Sequence, residues 1–349
     1  IINPILPNSA GIDPEEMMSE MVNLCLNLNI NILGKKTVNI KKINASTLIG
    51  KGTLTDLLDE VNLKKLNLLI CNSSLTPNQQ RNLENILKVK VVDRSGIIIE
   101  IFAIRALSNE GKLQVQLAEM VYRKSRLVRA WTHLERQRGG TSFVGGPGEL
   151  QIELDRRLIQ ERIEKIKKRL KNVSKRRSIQ RKLRSRNNFK IFAIVGYTNA
   201  GKTLLFNQLT KQKQESENKL FATLDTKISR VFLNNNLSVG LIDTVGFINN
   251  IPTQLIESFK ATLEEINESD YIINVVDIND INFQSKINTT KKILKETGVS
   301  NYKIKNMITV FNKIDLQNKT FNNSSVRSYV SALTGDGLEQ LKKQMTKSI

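Results

Sequence analysis

Residues 196–203 read Gly-Tyr-Thr-Asn-Ala-Gly-Lys-Thr, and no other segment restricts the fold of this 349-residue chain so tightly. The apolar run KIFAIVG (190–196) leads into it and the amphipathic run Lys202–Leu209 leaves it. Strand, G-x4-GK-[ST] loop and helix, in that order, make a phosphate-binding turn. Glycine lets main-chain N–H groups turn inward around phosphate oxygens, and the helix N-terminus adds a favourable dipole. Lys202 then reaches the β- and γ-phosphates, and the Thr203 hydroxyl is placed to ligate Mg2+. Gly196, Tyr197, Thr198, Asn199, Ala200, Gly201, Lys202 and Thr203 are therefore candidate nucleotide contacts.

Around this loop strands and helices alternate for about 160 residues, the pattern of a doubly wound, mostly parallel α/β domain with its ligand at the strand C-termini. The strand candidates are KIFAIVG, SRVFL (229–233), SVGLID (238–243), YIINVVD (271–277), MITVFN (307–312) and SYVSA (328–332). Helical periodicity falls on Lys202–Leu209, Gln254–Asn267 and Ile287–Glu296. Asp243, Thr244, Val245 and Gly246 close SVGLID: the acid can hold Mg2+ through water, and the Gly246 N–H can meet a γ-phosphate. Asn312, Lys313, Ile314 and Asp315 close MITVFN. The Asp315 carboxylate can accept from N1–H and the exocyclic amine of guanine together. Adenine offers an acceptor where guanine has N1–H, and a buried carboxylate facing a lone pair rejects it. Ser331, Ala332 and Leu333 follow the next strand, where a backbone N–H completes the base pocket.

A chain of this length suggests two or three domains at about 150 residues each. The first part alternates as well. NLLIC (67–71) reads as a buried strand, Thr76-Pro77 opens a helix with Leu83, Ile86 and Leu87 on its inner face, and Lys88–Val92 is the next strand. A helix is expected over Pro14–Leu28. Two long helical patterns then follow. Gly111–Arg138 carries Leu113, Leu117, Met120, Val121, Leu127, Val128, Trp131 and Leu134 at helical spacing. Leu150–Ile191, free of Gly and Pro, carries Leu158, Ile159, Ile163, Ile166, Leu170 and Val173. The loop Gly139–Gly148 between them favours an antiparallel hairpin. The expected division is an α/β subdomain over 1–108, a basic hairpin over 109–187 and the nucleotide domain over 188–349.

Charge is unevenly spread. The formal net charge is +21. Residues 151–190 alone hold sixteen Lys and Arg against four Asp and Glu. So dense a basic helix repels itself without a counter-charge and suits a phosphate backbone. With only 5% aromatic residues, a base-stacking single-strand binder is disfavoured. Cys25 and Cys71 lack metal-ligand spacing and read as buried thiols in a reducing compartment. The single His133 leaves almost no material for His-based chemistry. No apolar run is long enough to span a membrane, and the first residues lack the basic and apolar regions of a secretory signal, so a cytoplasmic protein without membrane insertion is expected.

A longer resemblance joins these motifs. LIGKGTLTDLL (48–58), VVDRSGIIIEIFAIRA (91–106), GKLQVQLAEM (111–120), RLVRAWTHLERQRGG (126–140), GGPGELQIELDRR (145–157), GYTNAGKT, LFATLD (220–225) and DTVGF (243–247) together resemble the HflX family of ribosome-associated GTPases. The resemblance implies that Thr223 is the switch I threonine, ligating Mg2+ with Thr203 and sensing the γ-phosphate. It implies that Phe221, Ala222, Thr223, Leu224 and Asp225 line the nucleotide. It further implies docking on the large (50S) ribosomal subunit, with the Gly-rich loop near the ribosomal RNA, to separate stalled ribosomes or assist large-subunit function. The chain departs from the family where Thr226-Lys227 follows FATLD and where Gly145 stands before GPGE.

The expected reaction is hydrolysis of GTP to GDP, with Lys202, Thr223 and Gly246 acting on the γ-phosphate. Phe247 stands where many signalling GTPases place a water-orienting Gln, and a phenyl ring cannot hydrogen-bond water. Slow intrinsic turnover, stimulated on the ribosome, follows. Asn199 resembles the asparagine that binds K+ in monovalent-cation-activated relatives. Two other readings compete: a nucleotide-insensitive RNA- or ribosome-binding protein, which the intact Lys202, Thr203, Asp243 and Asp315 argue against, and an ATP-driven RNA remodelling factor, which NKID disfavours. A monomer is expected.

Overall fold

The computed structural model describes residues 1–7, 13–127, 147–186, 189–211, 221, 223–224, 227–234, 237–249, 260–317 and 327–349. The expected hairpin tip with Trp131 and His133, most of the Gly-rich loop, Ala222, Asp225 and Thr226 lie outside them. Two compact units result, one of residues 1–104 and 115–168, the other of 105–114 and 169–349.

The first unit holds a four-stranded sheet: β1 (Ile2–Ile5), β2 (Lys36–Asn39), β3 (Leu68–Cys71) and β4 (Lys90–Asp93), in the order β2-β1-β3-β4 with every pairing parallel. Helices α1 (Pro14–Asn27), α2 (Lys51–Leu63), α3 (Pro77–Leu87) and α4 (Arg94–Arg105) connect and follow the strands. The α3 start is a reciprocal capping box: Thr76 Oγ1 accepts from Gln79 N–H, and Gln79 Oε1 accepts from Thr76 N–H. That satisfies two donors a helix start leaves open. Two expectations need correction here. Ile86 is exposed, because α3 turns Gln79, Leu83 and Leu87 inward instead. Lys88 is not in the next strand but caps α3 at φ 56°, so β4 starts only at Lys90. Cys25 and Cys71 are buried free thiols, and burial pushes them up to about 11 and about 12.

The long helices are α5 (Asn109–Leu127) and α6 (Pro147–Arg186). Ile163 is buried on α6, but Leu158 is exposed against expectation. The start of α5 and the C-terminal half of α6 belong to the second unit, where Arg177 Nη2 pairs with Glu110 at 2.7 Å.

The second unit holds six strands: β5 (Ile191–Gly196), β6 (Lys227–Phe232), β7 (Ser238–Asp243), β8 (Tyr271–Asp277), β9 (Ile308–Asn312) and β10 (Arg327–Tyr329). Their order is β10-β9-β8-β5-β7-β6, all parallel except the β6–β7 pair. Helices α7 (Lys202–Thr210), α8 (Lys260–Glu268), α9 (Phe283–Glu296), α10 (Asn301–Lys305) and α11 (Leu338–Ser348) complete the unit. Every residue of β5 is buried, as a central parallel strand covered on both faces requires. Phe192, Ile194, Leu205, Phe206, Leu241 and Val310 form one core, while Ala193, Val195, Phe247, Ile266 and Leu294 form a second. Buried on both sides, the sheet fixes the C-terminal ends of β5, β7 and β9, and the three motif loops leave from those ends.

Candidate nucleotide site

The loop after β5 is built so that only glycine fits its two turns. Gly196 has φ 141°, and a Cβ there would stand 2.3 Å from the Val275 carbonyl oxygen. Gly201 has φ 90°, and a Cβ there would stand 2.2 Å from Asn312 Nδ2. Asn312 is buried and hydrogen-bonds both ways: its Nδ2 donates to the Ala200 carbonyl (2.9 Å), and its Oδ1 accepts from Ala332 N–H (2.9 Å). One side chain of the NKID segment thus joins the phosphate loop to the Ser331–Leu333 turn. Sequence reasoning placed Asn312 at the base site without this bracing role, in which Ala332 gives its N–H to Asn312.

Asp315 Oδ1 accepts from the Ser331 hydroxyl at 2.6 Å, which brings the two expected base-site segments together. Lys313 has φ 67° and pairs with Asp277 Oδ2 at 2.7 Å, while its carbonyl accepts from Asn279 Nδ2. Asp277 and Asn279 were not foreseen; an acid closing the strand beside NKID is the only signal that could have marked them. Ile314 opens a 3-10 turn, and Leu333 is exposed at the rim.

Three oxygens converge beside the loop. Thr203 Oγ1 and Thr223 Oγ1 lie 2.7 Å apart, and both donate to Asp243 Oδ2, at 2.9 and 2.6 Å. Neighbouring ligands of octahedral Mg2+, each at about 2.0–2.1 Å from the ion, stand about 2.9 Å apart. The two hydroxyls, 2.7 Å apart, fit neighbouring ligands of the ion, and the carboxylate they share is placed to hold a water on it. Asp243 Oδ1, buried, has no hydrogen-bond partner among the described residues, which leaves it open to a metal-bound water. Burial raises the Asp243 carboxyl, and the Thr223 hydroxyl, Lys202 and the Thr203 hydroxyl oppose that rise.

Lys202 is buried, and its Nζ donates to the Tyr197 carbonyl at 2.7 Å. Burial pulls it down to about 8 against the attraction of Asp243. A buried ammonium held by a main-chain carbonyl can exchange it for phosphate oxygens. Gly246 packs directly on the loop: a Cβ there would come within 2.8 Å of Thr198 Cγ2 and 2.9 Å of Lys202 Nζ. Thr244 Oγ1 donates to the Ile194 carbonyl at 2.6 Å, anchoring the DTVG turn, in which Val245 is half-buried, to β5. Phe247 is buried, and it belongs to the core cluster that holds Ala193 and Val195. Phe221 and Leu224 are buried, and Asn199 is exposed with φ 61°. Among the described residues no His, Cys, Asp and Glu cluster could hold a metal, and no helix is long and apolar enough to cross a membrane.

With this geometry in place, comparison with known proteins is informative. Residues 15–103 match the GTP-binding GTPase N-terminal family, 105–184 the GTP-binding GTPase Middle Region and 191–313 the 50S ribosome-binding GTPase family. The chain is similar to GTPase HflX of Magnetococcus marinus, at 42% identity over 96% of this chain and 78% of that one. It is similar to GTPase HflX of Escherichia coli K12, at 36% identity over 96% and 79%. A crystal structure of the complex of SsGBP and GDP aligns over 99% of this chain and 96% of that one, with 25% identity and a TM-score of 0.51. A phosphate loop, a guanine-type NKID segment and matches of this extent make one statement: the chain belongs to the HflX family of GTPases, P-loop enzymes that bind and hydrolyse GTP.

Proposed function

We propose that this GTPase docks on the large ribosomal subunit through its basic helices and uses GTP to remodel or split stalled ribosomes, or to assist large-subunit function, in the cytoplasm and as a monomer. In this reading residues 1–108 and 109–187 grip ribosomal RNA, and 188–349 reads the nucleotide. The observation that carries it is the convergence of Thr203, Thr223 and Asp243 on one point beside the buried Lys202. A degenerate nucleotide domain has no reason to keep a buried carboxylate and a buried ammonium in place, since each costs desolvation energy. That argues against the nucleotide-insensitive alternative. The Asp315–Ser331 bond supports guanine over adenine, against the ATP-driven one. The name of the matched 50S ribosome-binding family and the sixteen basic residues of 151–190 support the partner.

The residues take distinct tasks. Thr203 and Thr223 would hold Mg2+ through their hydroxyls, and Asp243 would hold it through water. When bound, Mg2+ supplies positive charge to the β- and γ-phosphate oxygens. Main-chain N–H groups of 197–203 cradle the phosphates, and Lys202 neutralises charge on the leaving side. The Gly246 N–H meets the γ-phosphate. Water attacks phosphorus in line, the bond to the β-phosphate oxygen breaks, and GDP and inorganic phosphate leave. The Phe247 ring lies in the core and orients no water, so intrinsic turnover is slow. Asn199 would hold K+, whose charge adds to the site.

Co-sedimentation with purified large and small subunits, in GDP and in a non-hydrolysable GTP analogue, tests the proposal. Retention on the large subunit with the analogue and release with GDP is expected. Equal retention in both states refutes the switching.

A further inference from the structure

The segment after DTVG is tied to the phosphate loop before any nucleotide contact is considered. Phe247 N–H donates to the Gly196 carbonyl at 3.0 Å, and Thr198 N–H donates to the Phe247 carbonyl at 2.8 Å. These two bonds make a parallel bridge between Tyr197 and Phe247. A third tie follows two residues on, where the Tyr197 hydroxyl accepts from Asn249 N–H at 2.6 Å. The Tyr197 ring is itself fixed from the other side. Lys286, on α9, holds its Nζ 4.8 Å from the ring centroid and pairs with Asp280. A cation over a tyrosine face in a largely buried setting is a definite attraction.

From this we infer that Tyr197 is a positioning residue for the γ-phosphate. Its side chain, steadied by Lys286, pins the chain at Asn249 and so sets the direction in which the Gly246 N–H points. The Thr244 anchor to β5 and the two ties at Phe247 hold the two ends of the turn, and the third tie at Asn249 stiffens its exit; without it the Phe247 end loosens and Gly246 gains play. Gly246 sits within contact of Thr198 and Lys202, so a small shift separates its N–H from the place a γ-phosphate must occupy. Gly246 is pre-set by the loop, and the nucleotide finds it in place. Pre-set donors cost no reorganisation at the moment of reaction. GDP, which lacks the γ-phosphate, gains nothing from them.

The inference rests on the proposed nucleotide site, and the test separates the two. Tyr197→Phe keeps the ring and the cation contact and removes only the hydroxyl. Binding of GDP and of a non-hydrolysable GTP analogue is measured by calorimetry for the parent and the variant, with kcat and KM for GTP. Analogue affinity is expected to fall about 3- to 10-fold, as the loss of one hydrogen bond predicts. GDP affinity should stay within twofold, and kcat should fall more than KM rises. Lys286→Met should move the same ratio in the same direction by less, and it serves alone if Tyr197→Phe does not fold. An unchanged ratio of analogue to GDP affinity overturns the inference, as does an equal loss of both. Failure of the parent itself to bind either nucleotide overturns the site reading instead.

Discussion

Gly201→Ala is the sharpest probe of how the two ends of the nucleotide site hold each other. The added methyl would stand 2.2 Å from Asn312 Nδ2, far inside any real contact, at a backbone φ of 90°. The loop has little room to retreat, because a Cβ at Gly196, at its other end, would already stand 2.3 Å from the Val275 carbonyl oxygen. Asn312 must therefore leave, and it takes with it the bonds to the Ala200 carbonyl and from Ala332 N–H. Backbone strain of this kind costs about 1–3 kcal/mol. Each lost hydrogen bond costs about 1 kcal/mol, with more for polar groups left buried and unpaired. A total of about 4 kcal/mol corresponds to roughly a thousandfold in affinity if binding bears all of it. The NKID segment cannot be pushed aside without moving Asp315, so we expect GDP affinity to fall by roughly a hundredfold or more, with the melting temperature also lowered. Calorimetric GDP titration and thermal melting read both. Gly52→Ala is the control: on α2 its Cβ meets nothing within 4 Å, so it leaves binding untouched and adds up to about 1 kcal/mol of stability. A Gly201→Ala protein that binds GDP as the parent does refutes the bracing role of Asn312.

Three shorter predictions follow from other contacts. Lys202 titrates near 8 when folded and near 10.5 when unfolded, so between those values the unfolded chain binds more protons and this group favours folding increasingly as pH rises; urea unfolding of the parent minus Lys202→Met should gain up to about 3 kcal/mol from pH 7 to pH 10.5, and no such gain refutes the burial argument. Arg177 lies 2.7 Å from Glu110 and 3.7 Å from the buried Glu265 on α8, so Arg177→Met should cost about 2 kcal/mol in urea unfolding, and Glu265→Gln less. If Asn199 holds K+, steady-state GTP turnover is faster in KCl than in NaCl at equal ionic strength, and Asn199→Ala abolishes the difference; equal rates for the parent refute the K+ site.

How far the sequence discloses this molecule depends on whether a residue's task is local. The strand–loop–helix at 190–209 follows from neighbours in the chain, as do DTVG closing β7 and NKID closing β9, because each is a strand end with a turn of fixed chemistry. The four-residue strands β1 and β2 are not legible: INPI carries a proline and KTVN only one buried residue, and β1 is a strand because β3 supplies an edge, β2 because β1 then supplies the next. Helix α4 (RSGIIIEIFAIR) is equally opaque, since apolar residues all round it hide the period that marks a surface helix. Ile86 and Leu158 fit a helical stripe on paper and face water in the fold, because a stripe says which residues share a face and not how wide the covered face is. The site shows the same division. Phe247 is legible as the absence of a hydrogen-bonding group after DTVG, and that reading concerns what its ring cannot do. Its main chain does more: it forms the bridge to residues 196–198, and main-chain bonding leaves no trace in residue type. Tyr197 stands at a position the loop pattern leaves free, yet its hydroxyl meets a residue 52 places later in the chain. A pattern built from invariant spacings marks which atoms touch phosphate, and the free positions between them are where a family member sets how firmly its loops are held. Two GTPases with the same legible motifs can therefore differ in how much of the γ-phosphate contact is in place before GTP arrives, and for this chain Tyr197 is the residue through which that difference is measured.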